Sequence, residues 1–99
     1  MRIVAIEELR RNLAFFLDLS TRGETYLAAR KGRIKALVRP ASLEDRYPVI
    51  NAAAFRDRAG RVLREAPDRP RLITWYGKPA AAVVAAPQGL IDEWEGIEE

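Results

Sequence analysis

Apolar residues fall along the chain in two matching stripes. Leu9, Leu13, Phe16 and Leu17, with the small Ser20, set a helical rhythm from Glu7 to about Thr21. Phe55, Ala59, Val62, Leu63 and Ala66 repeat that spacing 46 residues later, from Ala53 to about Ala66. Positions i, i+4, i+7 and i+8 share one face of an α-helix, so both segments are expected as amphipathic helices. Each follows a short β-prone pair, Ile3-Val4 in one case and Val49-Ile50 in the other. Asn51 stands where an N-cap belongs; the first helix has Ala5 there, which offers no cap.

Turn chemistry ends both helices, Arg22-Gly23-Glu24 after the first and Pro67-Asp68-Arg69-Pro70 after the second. A strand pair is expected next. Thr25 to Arg30 leads through Lys31-Gly32-Arg33 into Ile34 to Arg39, and Arg71 to Tyr76 leads through Gly77-Lys78-Pro79 into Ala80 to Ala86. Gly32 and Gly77 permit the positive φ of a tight hairpin. Pro79 has no N–H and fits only a strand start or an edge. Candidate helical turns follow, Ser42 to Asp45 and Gly89 to Glu95.

The chain therefore reads as two copies of a unit of roughly 45 residues, a size that buries too little to fold securely alone. Few residues are identical between them: Arg10/Arg56, Leu17/Leu63, Gly32/Gly77, Ala36/Ala81 and Val38/Val83. The common order of elements is the stronger signal. With only Pro40 to Pro48 as connector, residues 1–47 and 48–99 are expected to share a sheet and a core. The predicted fold class is α+β, in one compact pseudo-two-fold domain.

Composition narrows the chemistry. With no histidine and no cysteine among 99 residues, imidazole bases, thiolate nucleophiles, zinc sites and disulfides are excluded. No acidic pair forms a recognisable motif, so neither an enzyme nor a cofactor or metal site is expected. The longest uncharged stretch, Pro79 to Ile91, is too short and weakly apolar to span a bilayer. The start, running directly into Glu7-Glu8, has no signal pattern, and the cytoplasm is the expected compartment.

The net charge of +3 is unevenly spread. Residues 1–47 carry ten Lys/Arg against six Asp/Glu, and residues 48–91 carry seven against three. Residues 92–99 hold five acids and no base. A basic body with a short acidic tail calls for a polyanion as partner.

Two stretches resemble a known family. Ile6-Glu7-Glu8-Leu9-Arg10-Arg11-Asn12-Leu13, followed by Leu17, is similar to the helix signature of Phd/YefM-type antitoxins. Arg30-Lys31-Gly32-Arg33-Ile34-Lys35-Ala36-Leu37-Val38-Arg39-Pro40 resembles their hairpin, as does Tyr76-Gly77-Lys78-Pro79-Ala80-Ala81-Ala82-Val83-Val84 in the second copy. Phe55-Arg56-Asp57-Arg58-Ala59 is a poorer helix match. The resemblance implies β-α-(α)-β-β-α units that pair through their sheets, bind double-stranded operator DNA and repress their own operon. It also implies a toxin partner, bound by a C-terminal extension. This chain departs from the pattern by fusing two units, and by having only Leu90 to Glu99 after the second.

Candidate DNA-binding residues follow. Arg10 and Arg11 lie off the apolar stripe of the first helix; Arg56 takes the place of Arg10 in the second copy, with Arg58 close by. The resemblance matches Arg10 and Arg56 to a helix-start arginine that contacts DNA. An arginine fork can read guanine or grip phosphate. Arg30, Lys31, Arg33 and Lys35 cluster at the first hairpin tip, answered only by Lys78 in the second. Asn12 suits a helix break, with a base contact as the alternative, and Phe15, Phe16 and Phe55 suit the core. Trp75 and Tyr76 suit cross-strand packing, with base stacking as the sharper alternative. Leu90, Ile91, Trp94 and Ile97 recur at helical spacing among acids, and form either a last helix sealing the second unit or a site for a partner such as a toxin. The leading expectation is an antitoxin-like transcriptional regulator acting as a single-chain pseudo-dimer, with further self-assembly left open. The alternative is a protein-interaction module on the same scaffold that does not bind operator DNA.

Overall fold

Ala5, extended at φ −69° and ψ 145°, ends strand β1 (Arg2–Ala5) and passes the chain directly into helix α1 (Ile6–Arg11) without a side-chain cap. In a computed structural model, which describes residues 1–96, the expected first helix is divided. Asn12 (φ −116°, ψ 37°) interrupts it, and α2 (Leu13–Thr21) resumes beyond. Asn12 makes no side-chain capping bond; its backbone N–H donates to Glu8 O at 2.9 Å. One off-helix residue turns the axis without moving the apolar stripe to another face. Leu9, Leu13, Phe16, Leu17 and Ser20 are all buried as the spacing predicts.

A hairpin follows, β2 (Tyr26–Arg30) and β3 (Arg33–Pro40), and then a connector to β4 (Val49–Asn51). The Asn51 side chain caps α3 (Ala52–Glu65) by accepting from Ala54 N at 2.8 Å. Helix α3 also departs from helical geometry at one residue, Arg58 (φ −120°, ψ 20°), 46 residues after Asn12. A second hairpin, β5 (Arg71–Trp75) and β6 (Lys78–Val84), leads to α4 (Gln88–Gly96). The Ser42–Asp45 segment is a turn, not a helical element, with Asp45 N donating to Ser42 O at 3.1 Å.

The six strands form one mixed sheet in the order β1-β2-β3-β6-β5-β4. Both edge strands are parallel to their neighbours and every other pairing is antiparallel, so the order reads alike from either edge. At the centre, β3 and β6 pair over Leu37↔Val84, Val38↔Val83, Arg39↔Ala82 and Pro40↔Ala81. Val38 and Val83, which correspond in the two halves, face each other. The hairpins thus overlap at their C-terminal ends and their tips point apart.

Each hairpin has an irregular register, between Ala28 and Ala29 in β2 and between Ile73 and Thr74 in β5. The turns are two residues long, Lys31-Gly32 and Tyr76-Gly77, one position tighter than the sequence suggested. Pro79 lies inside β6, opposite Thr74 at the irregular register and beyond the reach of β3, where its missing N–H breaks no central pairing.

Helices α1, α2 and α3 cover one face of the sheet, and the main core lies beneath them. It joins Leu9, Leu13, Phe16 and Leu17 to Phe55, Ala59 and Leu63, over Ala28, Ala36, Val38, Ile73, Ala81 and Val83. The alanines let helix and sheet approach closely. Helix α4 lies on the opposite face, where Leu90, Ile91 and Trp94 pack on Leu27, Ala29 and Ile34. It therefore seals the first half's hairpin, not the second's. Phe15, expected in the core, is 54% exposed on α2, with its ring edge-on to Phe16.

Candidate nucleic-acid interface

Helices α1 and α3 meet beside one another, and this juxtaposition brings Arg10 and Arg56 together from positions 46 residues apart. Arg10 Nε donates to the Arg56 carbonyl at 3.0 Å. The bond uses only the ε nitrogen, so the terminal amino groups of Arg10 remain for an anion or a base edge. With Arg11 and Glu7 these residues line a shallow hollow of about 290 Å³ that carries three guanidiniums against one carboxylate. Arg10 and Arg11, expected near the start of one long helix, instead occupy the last turn of the short α1, where cations favour the helix dipole.

Arg30, the last residue of β2, reaches into the same seam between α1 and α3. A Cβ at Gly60 would stand 3.2 Å from Arg30 Nη1 and 3.5 Å from Ile6 Cδ1. The guanidinium thus lies over the bare backbone of α3. In the sequence Arg30 stands beside a hairpin turn, and only the tertiary fold brings it beside the helices.

The remaining basic candidates are dispersed. Arg58 sits in a separate hollow of about 130 Å³ lined also by Ile50, Arg61, Val62, Glu65 and Arg71. Arg61 pairs there with Glu65 at 3.3 Å. Neither Arg61 nor Arg71 belongs to a sequence motif, and they converge only when α3 packs on β5. Lys31 and Arg33 lie at the first hairpin tip and Lys78 at the second, at opposite ends of the central strand pair.

Glu95 of α4 meets the base of the first tip. Its carboxylate accepts from Ile34 N at 3.0 Å and pairs with Arg33 Nη1 at 3.5 Å. Leu90, Ile91 and Trp94 are half-buried under this helix, while Ile97 lies outside the described residues. Between β3 and β4, Arg39 grips Asp45 through Nη1–Oδ2 at 3.1 Å and Nη2–Oδ1 at 2.8 Å. That guanidinium holds the Asp45 carboxyl below the usual carboxylate range, with the Ser42 N–H contributing in the same sense.

Among the described residues, no group of three His, Cys, Asp or Glu is placed to hold a metal ion, and no helix is long and apolar enough to cross a membrane. Comparison with protein-family models, with curated proteins and with solved structures finds no match in any of the three.

Proposed function

We propose that the chain is a cytoplasmic DNA-binding regulator of the antitoxin type, in which residues 1–47 and 48–99 act as two Phd/YefM-like units fused into a single-chain pseudo-dimer. The observation that carries this reading is the meeting of Arg10 with Arg56 at the α1–α3 seam. Supporting it are the strand order that reads alike from both edges and the facing of Val38 by Val83. Helix irregularities at Asn12 and Arg58 add a further correspondence.

In this reading the seam, with Arg10, Arg11, Arg56 and Arg30, meets the centre of the operator. The two hairpin tips reach outward along it. Ten strand residues separate Arg33 from Lys78 through the Val38–Val83 pair, or roughly 30 Å after allowance for the irregular registers. That is close to one turn of B-form DNA, about 34 Å. Because the tips differ in chemistry, the operator need not be a palindrome. A toxin or other protein that took the apolar side of α4 would have to lift Leu90, Ile91 and Trp94 from the first hairpin.

The test is a gel-shift titration against DNA from upstream of the chain's own reading frame. Joint Arg10→Ala and Arg56→Ala substitution is expected to abolish the specific shift and to leave the far-ultraviolet circular dichroism intact. No specific shift from the parent chain would move the function to the protein-interaction reading, and a specific shift unchanged by the double substitution would remove Arg10 and Arg56 from the DNA contact.

A further inference from the structure

The two hairpin turns share one backbone shape. Lys31 and Gly32 have φ of 52° and 77°; Tyr76 and Gly77 have φ of 53° and 76°. Two successive positive φ values in a two-residue turn are the type I′ geometry, whose first position favours Asn, Asp or Gly. A bulky aromatic is a costly occupant of that conformation. Burial does not offset the cost, because Tyr76 is 88% exposed.

What the tyrosine gains is presentation. Its ring centroid lies 5.2 Å from that of Trp75 at a tilt of 39°. Trp75 is itself half-buried against the main core, so the platform behind Tyr76 is fixed. Gly77, Lys78 and Pro79 beside it are exposed, and the tip from Trp75 to Pro79 holds one cation and no carboxylate. At the other end of the sheet the same turn position holds Lys31, between Arg30 and Arg33. Arg30 turns from that tip into the helix seam and Arg33 pairs with Glu95, so the first tip presents the Lys31 ammonium and the second an aromatic ring beside a single ammonium.

We propose that Tyr76 is a specificity-determining DNA contact, its ring packing against base edges of the outer half-site while Lys78 meets the adjacent phosphate. This rests on the DNA-binding reading above. Thymine methyl groups are the natural counterpart of an apolar ring in the major groove. Lys31 grips phosphate at the opposite half-site, a contact that carries no sequence information. The two ends of the molecule thus hold DNA by different chemistry, and the bound orientation is fixed.

The test is fluorescence anisotropy of the full chain with a labelled duplex from its upstream region, and with a scrambled duplex of equal composition, across a salt series. Tyr76→Asn is expected to weaken binding to the specific duplex about five- to tenfold. It should leave the scrambled duplex and the salt dependence unchanged. Its melting temperature should equal or exceed that of the parent, since Asn suits the turn. Lys31→Asn should weaken both duplexes and reduce the salt slope by about one. Specific binding undiminished in Tyr76→Asn overturns this inference alone and leaves the ring to a protein partner. Equal loss on both duplexes, or a lower melting temperature, also overturns it. A parent chain that does not distinguish the duplexes overturns both this inference and the DNA-binding reading.

Discussion

Tyr26 is sealed between the helices and the sheet at 1% exposure, with its hydroxyl donating to the Phe16 carbonyl at 3.4 Å. Burial pushes its phenol up to about 12; the Ser20 hydroxyl acts in the opposite sense, near the phenol but outside hydrogen-bond geometry. The folded chain therefore keeps the proton that the unfolded chain loses near pH 10. Stability is unaffected below that value and falls as pH rises toward about 12, by on the order of 2–3 kcal/mol. Urea denaturation of the parent and Tyr26→Phe across this range checks it: the alkaline loss should be smaller in the variant. The two N-caps give a second test. Asn51 and Ala5 have nearly the same extended backbone, but only Asn51 caps its helix. Asn51→Ala should cost about 1 kcal/mol and Ala5→Ser should stabilise by a smaller amount, both read from denaturation midpoints. These caps were legible in the sequence because capping is local. The strain at Tyr76 was not, because a Tyr-Gly pair does not announce which residue enters the left-handed region. Phe15, an aromatic at a helix position, is expected in the core, but it lies off the i, i+4, i+7 stripe and is exposed.

At the scale of elements, the sequence carried helix stripes and turn residues well, since both follow from short-range geometry. Asn12 is legible as a helix break, and the interruption there leaves the stripe in phase, but α4, expected on the second unit, packs on the first. Leu90, Ile91 and Trp94 show that one side of that helix is apolar, but not that it crosses to the first hairpin. The sequence presents the β3–β4 connector as a short link with a candidate helical turn at Ser42 to Asp45. Instead Arg39 and Asp45 lock it, and Asp45 N and carboxylate both bond to Ser42 backbone atoms. Asp45→Asn is expected to cost about 1–3 kcal/mol at neutral pH. Because the folded carboxyl is held below its ordinary value of 3.8, this contribution is present above that pH and is lost as pH falls through the folded value. Chemical denaturation of both forms should show their difference shrinking in acid. A constant difference would assign the loss to packing and not to the ion pair.

For the molecule as a whole, the duplicated order of elements was visible in the sequence, but the strand order was not, since pairing between β3 and β6 depends on residues far apart. The same long-range pairing ties the halves together: one core cluster runs from Leu9 to Val83. Residues 1–47 expressed alone are therefore expected to show no cooperative thermal transition by circular dichroism, and a sharp transition would contradict the shared core. The candidate interface was legible as residue types, Arg10 and Arg56 above all, while the entry of Arg30 into their seam required the fold. In the proposed function one chain binds both half-sites, where a regulator assembled from two chains needs a dimer. The most direct measurement is a stoichiometric titration of a duplex long enough for a single operator, at concentrations well above the dissociation constant. The account predicts a break at one chain per duplex, with preference over a scrambled sequence. A break at two chains, or no preference between the sequences, would contradict it.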